Sequence, residues 1–271
     1  MVLGVLLVDP GAAAAGEMTR HWNLETLREP SGLVYHPGRG SLFVAGDEGD
    51  VAEVSVKGEL LAMERLGGDL EGITCDPSTG FLYVVREGED EIVELDPEGL
   101  KPLRRFSLDR AFEEDADFVR RGGDGLEGIT FVPSPESAEG GSFFAVNQND
   151  PAVILELGLP LRSSSVNGTA RIKAAYQIES SPLSGIVWLP DENVFLVTSA
   201  LWGRVDLVER AGKKVGSFRV PGFLPEGLAL VPGGRFVIAQ DTGGLIEWTP
   251  DKDPVATLIG EADAGTKVTN K

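Results

Sequence analysis

One phrase recurs five times along the chain, and no other feature restricts its fold as much. It opens on serine or glutamate followed by glycine, continues through four residues rich in apolar side chains, and closes on proline. The copies are Ser31-Gly32-Leu33-Val34-Tyr35-His36-Pro37, Glu71-Gly72-Ile73-Thr74-Cys75-Asp76-Pro77, Glu127-Gly128-Ile129-Thr130-Phe131-Val132-Pro133, Ser184-Gly185-Ile186-Val187-Trp188-Leu189-Pro190 and Glu226-Gly227-Leu228-Ala229-Leu230-Val231-Pro232. A second apolar run follows each copy, at 42–45, 81–85, 143–146, 194–198 and 236–239, and a third at 51–54, 92–95, 153–157, 205–208 and 245–248. A weaker fourth run follows four of them, at 60–65, 103–108, 174–178 and 215–220. Short runs rich in β-branched and aromatic residues, bounded by Gly, Pro and Asp, are what antiparallel sheets need.

The five glycines are spaced 40, 56, 57 and 42 residues apart, and a period near 40 fits a four-stranded blade. A lone blade cannot cover both faces of its sheet, whereas a ring lets each blade cover the next. The expected fold is therefore all-β: a single β-propeller of five four-stranded blades over residues 17–260, with six blades as the structural alternative. Either the segment around Trp22 to Leu24 or Val255 to Ile259 supplies the strand that closes it. The two long intervals hold insertions. Asp109 to Asp124 is charged and reads as a short helix, and Pro160 to Arg171 as a loop. Residues 1–16, apolar from Val2 to Val8 and then small, read as a leader remnant or flexible start. Residues 261–271 read as a polar tail.

The sequence carries 24 Lys+Arg against 43 Asp+Glu, a net charge of −19. Such a surface repels phosphate backbones, which argues against nucleic acid as a partner. The apolar start is too short to span a bilayer, and the chain is expected to be a monomer. Export, to a secreted, periplasmic or lumenal compartment, is favoured over the cytoplasm. One cysteine, Cys75, excludes an internal disulfide, and two histidines, His21 and His36, disfavour a multi-histidine zinc site or a Ser-His-Asp triad.

The residue before each repeat glycine begins the innermost strand, so Ser31, Glu71, Glu127, Ser184 and Glu226 are expected to ring one mouth of the channel. Converging carboxylates repel one another unless protonated or bound to a cation. Oxygen-only donors suit a hard ion, Ca²⁺ or alternatively Mg²⁺, with Glu71, Glu127 and Glu226 as ligands. The bland alternative has these glutamates tying neighbouring blades together. A second ring follows the second strand of each blade: Asp47, Glu87, Gln148, Ala200 and Asp241. Ser31, Ser184, Asp47 and Gln148 would then form the channel rim, with Arg86 and Arg204 near the same turns. The recurring aromatics Tyr35, Phe131, Trp188, Phe43, Phe81, Phe143, Phe195 and Phe236 read as interblade core.

In Ser31-Gly32-Leu33, Glu91-Ile92-Val93-Glu94-Leu95-Asp96, Leu126-Glu127-Gly128-Ile129, Asn149-Asp150-Pro151, Leu183-Ser184-Gly185 and Pro225-Glu226-Gly227, the chain resembles the SdiA-regulated family of bacterial propeller proteins over about residues 20–250. The resemblance implies a propeller, often exported, distantly related to calcium-dependent esterase and lactonase propellers, and it maps the metal onto Glu71, Glu127 and Glu226. Gln148 and Ala200 depart from the glutamates that family carries in those turns. Two readings of function follow. The preferred one is a divalent-cation-binding propeller acting as a binding or scaffold protein, its small-molecule or protein ligand held at the channel mouth. The alternative is a Ca²⁺-dependent hydrolase of esters or lactones, with Glu87 or Asp241 positioning or deprotonating water.

Overall fold

Alternation within each repeat, punctuated by Gly, Asp and Pro, builds a chain of short antiparallel strands. The computed structural model describes residues 16–24, 26–120, 125–179 and 182–269; of the leader or flexible start expected at 1–16, residues 1–15 lie outside them. The repeat phrases become β2 (Pro30–His36), β6 (Leu70–Cys75), β10 (Leu126–Pro133), β14 (Gly185–Leu189) and β18 (Pro225–Val231). The second runs become β3 (Ser41–Gly46), β7 (Leu82–Arg86), β11 (Gly141–Asn147), β15 (Val194–Ser199) and β19 (Arg235–Gln240). The third become β4 (Asp50–Ser55), β8 (Glu91–Leu95), β12 (Val153–Gly158), β16 (Arg204–Glu209) and β20 (Leu245–Pro250). Outermost lie β5 (Leu60–Arg65), β9 (Pro102–Asp109), β13 (Gly168–Gln177) and β17 (Lys214–Arg219).

These strands pair as β2-β3-β4-β5, as β14-β15-β16-β17, and as one eight-stranded sheet in the order β10-β11-β12-β13-β9-β8-β7-β6. The fourth sheet is β1-β20-β19-β18, where β1 (Gly16–Trp22) is antiparallel to β20. The architecture is all-β and propeller-like. Apolar side chains are shared between successive repeats: Phe43 and Val51 pack with Leu70 and Val84, Tyr83 with Phe143, Phe144 with Phe195, Leu196 with Phe236, and Ala229 and Val237 with Leu33 and Leu42. The last of these contacts joins the fifth repeat to the first.

Four expectations need correction. Val255 to Ile259 is not a strand but the start of helix α1 (Pro254–Thr269). Asp253 Oδ1 accepts the Val255 and Ala256 N–H groups at 2.9 and 3.2 Å, an N-cap followed by proline at the first helical position. Val255, Leu258 and Ile259 then meet the core at helical spacing. The insertion after Asp109 is not helical over its described part; it forms turns and one isolated bridge, Phe112 to Asp115. The segment Pro160 to Arg171 is not all loop. Gly168–Arg171 runs parallel to Phe106–Asp109 and welds two repeats into the eight-stranded sheet. Tyr35 and Trp188, expected as interblade core, do pack against core clusters shared by two repeats, but they are only half buried and also line a cavity on the axis. Innermost strands bring these side chains to the channel as well as to a neighbouring sheet.

The start of the inner strand has a special geometry. In β2, β6, β10 and β18 the pairing register with the next strand slips by one residue at the Ser/Glu-Gly step. Such a bulge bends the strand and re-aims a side chain. At this step the backbones of the five inner strands touch. A Cβ on Gly72 would lie 2.5 Å from the Ile129 nitrogen, and one on Gly128 2.5 Å from Gly185 Cα. The same contact runs from Gly185 to Glu226 O and from Gly227 to Ser31 O, each at 2.5 Å. Gly128→Ala is therefore expected to cost about 1–3 kcal/mol in urea unfolding. Gly88→Ala, which meets nothing within 4 Å, should stay within about 0.5 kcal/mol of the parent. Equal effects at the two positions would contradict the close approach.

Every third strand also carries an acid: Glu53, Glu94, Glu156, Asp206 and Glu247. Four of them are buried and ion-paired, Glu53 with Arg39 at 2.8 Å, Glu94 with Arg104, Asp206 with Arg204 and Lys214 at 3.0 and 2.8 Å, and Glu247 with Arg235 at 2.5 Å.

Candidate metal centre

Because β6, β10 and β18 begin at the same end of the axis and bulge at the same step, their glutamates converge. Glu71, Glu127 and Glu226 each bring a carboxylate oxygen within 4.8 Å of the other two. Glu71 and Glu127 are buried and Glu226 is half-buried. Ser31 Oγ lies 2.6 Å from Glu71 Oε2 and 3.3 Å from Glu226 Oε2, and its single proton serves the shorter contact. Gln148 Nε2 donates to Glu127 Oε1 at 2.8 Å. Asp47 and Asp69 form a second group with Glu71, again within 4.8 Å. Asp69 was not among the sequence candidates. It lies in the turn before β6, outside any strand, so the repeat pattern gives no signal for it.

Burial is the main cause of every pKa shift here. It pushes Glu226 up to about 7, helped by the charges of Asp47 and Asp241. Asp47 rises to about 6, through burial and then Asp69. Glu71 and Glu127 both rise, because burial and the neighbouring carboxylates make two adjacent charges costly. Asp69 also rises, through burial and then Glu87.

The remaining sequence candidates divide. Glu87 adjoins the cluster, its Oε1 accepting the Gly125 N–H at 2.9 Å. Asp241 lies within electrostatic reach of Asp47 and Glu226, and its N–H donates to Leu224 O at 3.2 Å. Ser184 turns toward the strands, contacting Thr198 Oγ1 at 3.1 Å and Pro225 O at 3.4 Å. Ala200 opens a short 3-10 turn, Ala200–Trp202, that supplies no oxygen side chain. Arg86 donates to Leu66 O and faces Glu89 and Glu91, while Arg204 pairs with Asp206. Asn147 ties its own turn together by donating to Asn149 O and Pro151 O.

This donor set fits a hard divalent cation. It offers carboxylate and hydroxyl oxygens, and the buried Oδ1 atoms of Asp47 and Asp69 have no hydrogen-bond partner. At the opposite end of the axis, beyond the glycine constriction, lies a cavity of about 480 Å³. Its lining includes Tyr35, Cys75, Phe131, Trp188 and Leu230, the fifth residue of each phrase. Burial pushes the Cys75 thiol up to about 12, consistent with core filling. The channel is thus acidic at one mouth and apolar at the other.

Residues 25–200 match the family model described as phytase-like, esterase-like activity of phytase. No curated protein matches the chain by sequence. Among solved structures it is similar to the glutaminyl cyclase of Myxococcus xanthus, with 15% identity, 88% of this chain and 97% of that one covered, and a TM-score of 0.61. It is also similar to a streptogramin B lyase, with 10% identity, 86% and 97% covered, and a TM-score of 0.52. At such low identity these likenesses speak for a propeller-type fold alone. Among the described residues no helix is long and apolar enough to cross a membrane.

Proposed function

Since the chain belongs to the phytase-like family described by the esterase-like activity of phytase, we propose that it is a divalent-cation-dependent ester hydrolase working at the acidic mouth of a five-bladed propeller. The observation that carries this reading is the meeting of Glu71, Glu127 and Glu226 within 4.8 Å. In this reading β1 closes the ring as the outer strand of the fifth blade, in support of which it pairs with β20. Residues 17–260 form the propeller, and the protein acts outside the cytoplasm, after loss of a leader within residues 1–16. The order Ser31, Glu71, Glu127, Ser184, Glu226 supports the narrower kinship to the SdiA-regulated propellers.

Glu71, Glu127 and Glu226 would hold the ion, Ca²⁺ by preference and Mg²⁺ as the alternative, with Asp47 and Asp69 on its flank. When bound, such an ion polarises an ester carbonyl and offsets the charge that develops on its oxygen. Ser31 and Gln148 fix the orientation of the carboxylates. Asp241 is the better placed base, because the Glu87 carboxylate already accepts the Gly125 N–H.

The test is p-nitrophenyl acetate hydrolysis in CaCl₂ and in EDTA. Activity should vanish with chelator and return with Ca²⁺, and Asp241→Asn should lower kcat by about 10²-fold or more. A second reading, a cation-stabilised binding protein or scaffold, is favoured by the interruption of the second ring at Gln148 and Ala200. Thermal stabilisation by Ca²⁺ without turnover of any ester would select it.

A further inference from the structure

The acidic mouth is bordered on one side by exposed apolar side chains. Leu201, Trp202 and Phe223 are 64%, 55% and 66% exposed. They stand on two segments that adjoin each other, since Val220 N–H donates to Gly203 O at 3.2 Å. The first segment is anchored to β18, which carries Glu226, and the second to the end of β19 and the turn that holds Asp241. Thr198 Oγ1, two residues before Ala200, donates to Glu226 O at 2.7 Å. Phe223 N–H donates to Gln240 Oε1 at 2.9 Å, and Asp241 N–H to Leu224 O at 3.2 Å. The apolar turn also occupies the one place in the second ring where the other repeats carry Asp, Glu or Gln.

Exposed indole and phenyl rings cost solvation free energy, and a group of them beside a polar site marks a contact surface for a ligand. The charge on the same face narrows the ligand. Asp47, Asp69, Glu87 and Asp241 surround the cluster, and two arginines of the second-ring turns, Arg86 and Arg204, are turned to Glu89, Glu91 and Asp206. A ligand carrying many phosphates would meet this surface with little cationic compensation. Its polar end must be compact and its remaining bulk apolar.

We propose that Leu201, Trp202 and Phe223 bind the acyl or aryl arm of the substrate, so that the preferred class is an uncharged ester with an apolar arm rather than a polyphosphate. This specificity role rests on the hydrolase reading above. Each arm methylene that leaves water on binding contributes to discrimination, and an apolar surface patch of this kind is worth about tenfold or more across a homologous series.

The experiment compares kcat/KM for p-nitrophenyl acetate, butyrate and octanoate and for p-nitrophenyl phosphate, in CaCl₂, for wild type, Trp202→Ser and Phe223→Ser. The octanoate-to-acetate ratio should be about tenfold or more in wild type and collapse in either variant, and wild-type kcat/KM for the octanoate should exceed that for the phosphate. Binding is read separately, without turnover, by titrating octylphosphonate against tryptophan fluorescence with and without Ca²⁺. Trp202 is the exposed indole, whereas Trp22 and Trp248 are buried and Trp188 is half buried in the cavity at the far end of the axis, so Trp202→Phe identifies its signal. Hydrolysis with no chain-length preference, or a preference that survives both substitutions, overturns the apolar rim and leaves the hydrolase standing. No hydrolysis, with octylphosphonate binding that Phe223→Ser weakens, overturns the hydrolase and leaves the rim. Faster turnover of the phosphate than of the octanoate ester overturns the assigned substrate class.

Discussion

Metal-free protein is expected to lose stability as the pH rises from about 5 to about 8, and Ca²⁺ to restore it mainly at the upper end. The sign follows from the buried carboxylates. Glu226 is pushed up to about 7 and Asp47 to about 6, and Glu71 and Glu127 rise as well. A carboxyl whose folded pKa is raised keeps protons that the unfolded chain has released. Its contribution is whole below the unfolded value near 4 and is lost as pH rises through the folded one. Glu53, where burial pushes upward but hydrogen bonds from Arg39 and Ser41 prevail, titrates below this window and does not reverse the slope.

A cation competes with those protons, so it stabilises more at about pH 8 than at about pH 5.5. At a hundredfold excess over its dissociation constant it adds about 2.7 kcal/mol, or about 5 °C or more in Tm for a chain of this size. Glu127→Gln removes one buried charge. It should raise the metal-free Tm at high pH and shrink the Ca²⁺ gain. Thermal melts of both proteins in EDTA and CaCl₂ at the two pH values measure this. A Ca²⁺ gain that survives the substitution intact, or metal-free stability that climbs with pH, would remove the carboxylate cluster as a cation site.

Breaking the Glu94–Arg104 pair should be the most damaging single change outside the channel, about 3–5 kcal/mol in urea unfolding. Glu94 is 2% exposed in the middle of β8. Arg104 pairs with it and also donates to Leu161 O at 3.0 Å and Ser164 O at 2.5 Å, holding the insertion against β9. Tyr83, directly opposite Glu94, has its phenol pushed up by burial and then by that same carboxylate. Arg104→Met leaves the carboxylate buried without its cation and frees the loop carbonyls. Glu94→Leu combined with Arg104→Met removes both charges, so the double variant should be more stable than Arg104→Met alone. A double variant at least as unstable as the sum of the singles would show that packing, not charge, dominates there.

Parts of the site were legible and parts were not, for identifiable reasons. The residue before each glycine could be named as an inward position because strand alternation and a bulging Gly step are local properties. Asp69 lies in the turn ahead of β6, outside the alternating run, and was not readable on that ground. Ser184 and Ala200 occupy ring positions by sequence, yet one turns to Thr198 and Pro225 O and the other begins an apolar turn. A position in a repeat specifies where a side chain starts, whereas neighbouring backbone decides where it ends. The closing segment at Val255 shows the reverse. Asp253, Pro254 and the 255, 258, 259 spacing are a helix start in plain sequence, obscured by the expectation of a strand there.

By itself the sequence determined the repeated strands, their order, and, to within one residue, where the innermost ones begin, because period-two patterning and turn chemistry act between near neighbours. It also placed an acid in every third strand. Only the tertiary structure decided that Glu71, Glu127 and Glu226, up to 155 residues apart, share one space, that Arg104 rather than another base answers Glu94, and that Gly168–Arg171 joins two repeats in one sheet. Those pairings depend on how successive twisted sheets pack against one another, and no local window of the chain contains that information.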